Sequence, residues 1–192
     1  MTYQPLHSHH LSGDVTYHRP DRPDKLVTLD DPAETVMTDL TRVSAVTIGP
    51  RDSIATANQK MFFRGIRMLL VVDSQENIVG LITATDILSE KPFKHLQVFG
   101  GVRDEILVKD LMTPRERIEV LPMEEVAHAK VGHLVETLKE ARRQHGIVVE
   151  KDSRGQQIVR GLLSASEIAR RLGQEVQTRE VDLSYVAHNM TH

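Results

Sequence analysis

Cysteine and tryptophan are both missing from the 192 residues. The first absence excludes disulfides, thiolate catalysis and cysteine-ligated metal. The second, with only four Phe and three Tyr, leaves little material for a base-stacking surface. An excess of positive charge is missing too. The formal charge is −3 at neutral pH, so no global field gathers nucleic acid. Long apolar runs are lacking as well: MLLVV at 68–72 is the longest, against the roughly 20 residues a membrane helix needs. The opening MTYQPLHSHHLSGD has no basic stretch followed by an apolar one, so no secretory leader is expected. These absences predict a soluble, cytoplasmic protein with no membrane insertion and no nucleic-acid partner. Glycine motifs of P-loops, dinucleotide folds and nucleophile elbows are not found, and neither is HExxH. His7, His9 and His10 have no second ligand cluster near them, and His128 and His133 are not at the i, i+4 spacing of a helical zinc pair. No metal site, no required cofactor and no catalytic set is therefore expected, and the chain is not read as an enzyme.

What is present is repetition. Residues 80–88 read GLITATDIL and residues 161–169 read GLLSASEIA. Their surroundings repeat in the same order. DPAETVMTDL opens like a short helix, with an acid, a Pro and then helix formers. SAVTI (44–48) is a short strand. DSIATANQKMFFRG (52–65) puts Ile54, Ala55, Ala57, Met61 and Phe62 roughly on one helical face, and Gly65 suits its end. RMLLVVD (67–73) reads as a buried strand, SQEN as a turn and IVGLIT (78–83) as the partner strand. ATDILSE begins a further helix, stopped by Pro92. The second half supplies VKDLMT, the strand RIEVL (117–121), one amphipathic helix over 123–146, the strand GIVVE, the turn KDSRGQQ, the strand IVRGLLS and the helix SASEIARRLGQEV. Gly80 and Gly161 are 81 apart, whereas Met37 and Met112 are 75 apart. The difference predicts a slightly longer middle helix and a hairpin longer by four in the second copy.

The expected fold is α/β (α+β), with two pseudo-symmetric β-α-β-β-α repeats packed as one module. An irregular arm (1–30) precedes repeat 1 (31–91), a linker (92–107), repeat 2 (108–178) and a tail (179–192). Neither repeat alone buries much apolar surface, but the two together can. Paired copies also make clefts between them, where ligands tend to sit.

In each repeated phrase a hydroxyl residue ends a strand and an acid follows three residues on: Thr83 with Asp86, and Ser164 with Glu167. The spacing admits two readings. One is a capping box, in which the side chains satisfy orphan N–H groups of the first helical turn. The other is a ligand site, with the hydroxyl and the helix start on a phosphate and the carboxylate accepting from ribose hydroxyls. Glu167 is one methylene longer than Asp86. It is expected to be the better capping partner, and its carboxylate is misplaced in a site shaped for Asp. On the ligand reading two unequal sites are expected, one at Asp86 that takes the ligand and one at Ser164/Glu167 that is weaker, altered or vacant, although a glutamate can still accept from hydroxyls.

VMTDL, VTIGPRDSIATA, GIRMLLVVD and VGLITATDIL in the first copy, with DLMTP, RIEVLPMEEV, HGIVVE and RGLLSASEIA in the second, resemble a tandem pair of CBS domains. The family is named after cystathionine β-synthase, and the pair is called a Bateman module. The resemblance spans about 36–173. It implies a stand-alone regulatory module that binds an adenosine-containing ligand (AMP, ADP, ATP, S-adenosylmethionine or a dinucleotide) in the cleft between repeats. It further implies signalling by a change of shape to a regulated partner protein, and a homodimer through the repeat helices. In this sequence it points to Thr83 and Asp86 for the ribose and phosphate. For the adenine pocket it points to Thr47, Ile48, Pro50, Ile66 and Met68. Ser164, Glu167 and His145 would form a second site, with His145 standing where the first copy has Met68. Arg67 is expected to be solvated, with a phosphate contact as the alternative, and Arg142 and Arg143 to lie on the polar face of a helix, with a polyphosphate across the cleft as the alternative. The alternative is a ligand-free dimerisation or protein-interaction module in which both motifs only cap helices.

Overall fold

The computed structural model describes residues 26–174 together with Gln4, His10, Thr16, Val176 and Thr178. Most of the expected arm, including His7 and His9, and the tail 179–192 lie outside the described residues. A 3-10 turn (Ala33–Val36) leads into β1 (Thr38–Asp39), β2 (Thr47–Ile48), α1 (Ile54–Arg64), β3 (Met68–Val72) and β4 (Ile78–Thr83). Then come α2 (Ala84–Leu88), α3 (Lys91–Phe99), α4 (Val108–Leu111), β5 (Thr113–Pro114) and β6 (Val120–Pro122). The chain continues through α5 (Met123–His128), α6 (Val131–Glu140), β7 (His145–Lys151), β8 (Gln157–Ser164) and α7 (Ala165–Leu172).

Local chemistry accounts for these elements. Ser53 caps α1 by accepting from the Thr56 N–H at 3.1 Å, and Gly65 closes it in the left-handed conformation at φ 63°. β3 is buried along nearly its whole length, as its unbroken apolar run requires. The β7–β8 hairpin pairs further than β3–β4: its strands are seven and eight residues long against five and six. The four extra residues expected in the second hairpin therefore lie in its strands, and the segment from β6 to β7, which holds two helices where the first copy has α1, is longer as well.

Each sheet borrows a strand from the other repeat. One sheet has the order β2-β3-β4-β5 and the other β1-β8-β7-β6. Thus β5, from the start of the second copy, pairs antiparallel with β4, while β1, from the start of the first, pairs with β8. The repeated glycines allow this crossing. A Cβ on Gly80 would stand 2.7 Å from both the Met112 sulfur and the Thr113 carbonyl oxygen, and one on Gly161 would strike the Met37 side chain. The opening helical segments cross as well. Val108 and Leu111 of α4 pack in the core of the first repeat with Ile54, Met61 and Ile87. Ala33 and Val36 pack in that of the second with Val131, Leu138 and Ile168. A third core, built on Leu70, Ile147 and Val149, joins the two sheets. The repeats are therefore one folding unit.

Three expectations change. The single helix over 123–146 is two helices, α5 and α6, and ends at Glu140. The segment before the 3-10 turn lies across the break: the Ala33 N–H donates to the Ala129 carbonyl at 3.0 Å, and the Val131 N–H to that of Asp31 at 2.9 Å. Residues 92–107, read as a linker, contain most of helix α3. Pro92 sits in the first turn of α3, where its missing N–H costs nothing. It starts one helix after α2 has ended.

Candidate functional site: two clefts between the repeats

The pairing of β2 with β3 and of β6 with β7 sets the two copies in register. Met68 corresponds to His145, Thr83 to Ser164, Asp86 to Glu167, Gly65 to Arg142, Ile66 to Arg143, Ser44 to Arg117 and Val46 to Glu119. Two clefts follow from the exchange of strands, and each sets the phrase of one copy against a wall of the other. In the Asp86 cleft, of about 230 Å³, Thr83, Thr85 and Asp86 face Arg117–Glu119 and Arg142–His145. In the Glu167 cleft, of about 350 Å³, Ser164, Ser166 and Glu167 face Val43–Val46 and Gly65–Met68.

Of the residues expected in the first site, Thr83, Asp86 and Met68 come together in the Asp86 cleft. Ile66 lies instead in the Glu167 cleft. Thr47, Ile48 and Pro50 line neither. The Thr47 carbonyl accepts from Lys60 Nζ at 2.7 Å, Ile48 is buried in the core of the first repeat, and the Pro50 carbonyl accepts from the Lys109 N–H at 3.0 Å. Of the second set, Ser164, Glu167 and His145 do share a cleft, but His145 and Met68 each border both. Sequence reasoning did not place Arg117 and Glu119, because it paired each motif with the wall of its own copy. The repeated glycines were the available signal, since an invading strand needs that room.

The two acids behave differently. Asp86 is buried. Its Oδ2 accepts from the Thr83 N–H at 2.9 Å and from Thr83 Oγ1 at 2.6 Å. Thr83 Oγ1 in turn accepts from the Asp86 N–H at 3.2 Å, which completes a capping box. Asp86 Oδ1 pairs with Lys91 Nζ. Glu167, expected as the better cap, does not cap. It accepts from Arg170 Nε at 3.0 Å, Arg170 Nη2 at 2.8 Å and Arg171 Nε at 2.6 Å. Among the described residues Ser164 Oγ meets only Ser166 Oγ, at 2.9 Å. The extra methylene carries the carboxylate outward to partners three and four residues on. The hydrogen bonds from Arg170, then the one from Arg171, hold the Glu167 carboxyl at a pKa of about 2.

His145 occupies the partition between the clefts. Burial, and then the charge of Arg67, push its pKa down to about 4 against the opposing pull of Asp86. The ring is therefore neutral at pH 7. Arg143 pairs with Glu119 at 3.0 Å. Arg67 is exposed, as expected, and borders the Glu167 cleft. Arg142 and Arg143 lie beyond the end of α6 and in the Asp86 cleft, not on the polar face of a helix. Among the described residues no group of three His, Asp or Glu could hold a metal ion, and no helix is long and apolar enough to cross a membrane.

Residues 33–92 match the family model of the CBS domain. No curated protein matches the chain. Solved structures share the fold. The CBS-domain containing protein ATU1752 from Agrobacterium tumefaciens is 18% identical, with a TM-score of 0.53 over 81% of this chain and 98% of that one. CBSX2 from Arabidopsis thaliana, in complex with AMP, is 22% identical, with a TM-score of 0.50 over 73% and 94%. The CBS domain pair of protein MJ0100, in complex with 5′-methylthioadenosine and S-adenosyl-L-methionine, is 19% identical, with a TM-score of 0.51 over 75% and 97%.

Proposed function

We propose that this chain, a tandem CBS pair by its fold and by its family match over 33–92, is a regulatory module that binds an adenosine-containing ligand in the Asp86 cleft. The observation that carries the reading is the placement of Thr83 and Asp86 on one side of a cleft whose other side carries Arg117, Arg142 and Arg143. A ribose hydroxyl donates to Asp86 Oδ1, taking the place of the half-exposed Lys91. The base lies toward Met68 and Ile118, and a methionine grips a flat ring well. The structures of similar fold in complex with AMP and with S-adenosyl-L-methionine support the ligand class. The cleft belongs to both repeats, so occupancy selects one arrangement of the two, and a cytoplasmic partner protein reads it. No catalytic step is assigned. Thermal-shift titration with AMP, ADP, ATP and S-adenosylmethionine tests the reading. At least one should raise the melting temperature of the wild type and not that of Asp86→Asn. If all four leave the wild type unmoved at millimolar concentration, the reading fails.

The module is a homodimer in this reading. All four phenylalanines are exposed: Phe62 at 82%, Phe63 at 74%, Phe93 at 64% and Phe99 at 74%. They lie on α1 and α3, both of the first half, while the counterparts of Phe62 and Phe63 in α6 are Lys139 and Glu140. Four such side chains offer about 600 Å² of apolar surface, close to the roughly 800 Å² per partner of a stable interface. First repeat then faces first repeat across a two-fold axis. Sedimentation of Phe62→Lys/Phe99→Lys should give a monomer where the wild type gives a dimer; equal mass for both contradicts this.

One observation favours the ligand-free alternative. Both oxygens of Asp86 already have partners within the chain, as a purely structural cap requires. In that case Asp86→Asn alters stability and nothing else.

A further inference from the structure

We infer that the Asp86 cleft selects phosphate-bearing nucleotides over neutral nucleosides and sulfonium ligands, and that Arg142 sets this selectivity. The inference rests on reading the cleft as an adenosyl site. It comes from comparing the two walls at matching positions. Where the first copy has Ser44, Gly65 and Ile66, the second has Arg117, Arg142 and Arg143, and the latter three line the Asp86 cleft. Arg143 is paired with Glu119 at 3.0 Å. Arg117 and Arg142 are exposed and have no ion pair among the described residues. Across the cleft Asp86 is paired with Lys91. The uncompensated charge in this cleft is therefore positive.

Arg142 also sits where an arginine is costly. The chain turns from α6 toward β7 through a left-handed residue, and Arg142 holds that conformation at φ 50°. The matching turn after α1 uses Gly65 at φ 63°. Among the described residues Arg142 is one of two non-glycine residues at positive φ, the other being Glu76 in the β3–β4 turn. The turn closes two backbone bonds, from the Arg142 N–H to the Lys139 carbonyl and from the Arg143 N–H to the Leu138 carbonyl, both at 2.9 Å, which a glycine makes at less cost. The Arg142 side chain makes no hydrogen bond among the described residues, so the turn itself does not account for an arginine, and the residue points to a ligand. Two guanidiniums without partners among the described residues and a third shared with Glu119 suit the oxygens of a phosphate chain. The sulfonium and ammonium of S-adenosylmethionine would face like charge.

The test is calorimetric titration of wild type and Arg142→Gly with adenosine, ATP, S-adenosylmethionine and inorganic tripolyphosphate. Arg142→Gly restores the residue that the first copy uses, so it should melt no lower than the wild type. The wild type should bind ATP at least about 10-fold more tightly than adenosine or S-adenosylmethionine, and Arg142→Gly should lose about 10-fold for ATP and nothing for adenosine. Equal affinity of the wild type for ATP and adenosine, or an unchanged ATP affinity in Arg142→Gly, overturns the inference while the adenosyl reading stands. Binding of tripolyphosphate that needs Arg142, with no binding of any adenosyl compound, keeps the anion site and overturns the adenosyl reading. If neither tripolyphosphate nor ATP binds, the inference falls.

Discussion

Opposite Thr83 and Asp86 the second repeat presents Arg117, Arg142 and Arg143; opposite Ser164 and Glu167 the first presents Ser44, Gly65 and Ile66 at the matching positions, with the single arginine Arg67 beside them. The frame around both clefts is the same. A glycine in β4 or β8 lies under a borrowed strand, a methionine packs on it, and a hydroxyl residue ends the strand. Where the backbone has no slack the copies agree, and where a side chain faces a cleft they differ. Sequence repetition therefore reports the scaffold, and the departures from it report the chemistry.

The largest expected effect probes the frame. Gly80→Ala places a Cβ 2.7 Å from the Thr113 carbonyl oxygen, a backbone atom that cannot move aside without shifting β5. For Gly161→Ala the three nearest atoms all belong to the Met37 side chain, which can change rotamer. Overpacking costs about 1–3 kcal/mol. Gly80→Ala should fall near the top of that range and Gly161→Ala near the bottom, as read by urea denaturation. Equal losses would show that the two crossings are equally rigid.

A second effect separates the residues at the partition. The His145 pKa is about 4 in the folded protein and about 6.5 when unfolded. Below pH 6.5 the unfolded chain therefore takes up a proton that the native ring does not. Stability is full above that pH and is lost as pH falls toward 4. Between pH 7 and pH 5 the loss is roughly 2 kcal/mol. Glu167 and Asp39, each held near pKa 2, titrate below this window. His145→Met, which copies Met68, should remove the loss. Denaturant midpoints at pH 7 and pH 5 that shift equally in wild type and variant would contradict the assignment.

The smallest effect separates the caps. Thr83→Ala removes a formed capping box and should cost about 1 kcal/mol. Ser164 makes no cap bond, so Ser164→Ala should change thermal stability by less than about 0.5 kcal/mol. Equal losses would mean that Ser164 caps α7 in solution.

Much of the fold was legible from periodicity and repetition. Gly65 ends α1, MLLVV is a buried strand, and the hairpins stand where the turn residues put them. The helix break at Ala129–Lys130 was not legible, because it comes from the distant segment ending at Ala33 crossing the chain there. The Thr83–Asp86 cap was readable from spacing alone. The failure of Glu167 to cap depends on Arg170 and Arg171, which were visible, but local spacing does not say which partner a flexible glutamate prefers. Which wall faces which motif was not legible, because strand exchange is a matter of topology. For Arg142 the sequence left a helix charge and a polyphosphate contact both open; the end of α6 puts it in a left-handed turn that lines the Asp86 cleft.

The most direct test of two unequal clefts is the stoichiometry of ATP binding by calorimetry in wild type, Asp86→Ala and Glu167→Ala. The account predicts one ATP per chain, lost in Asp86→Ala and kept in Glu167→Ala. Two ATP per chain, or loss in Glu167→Ala with retention in Asp86→Ala, would contradict it.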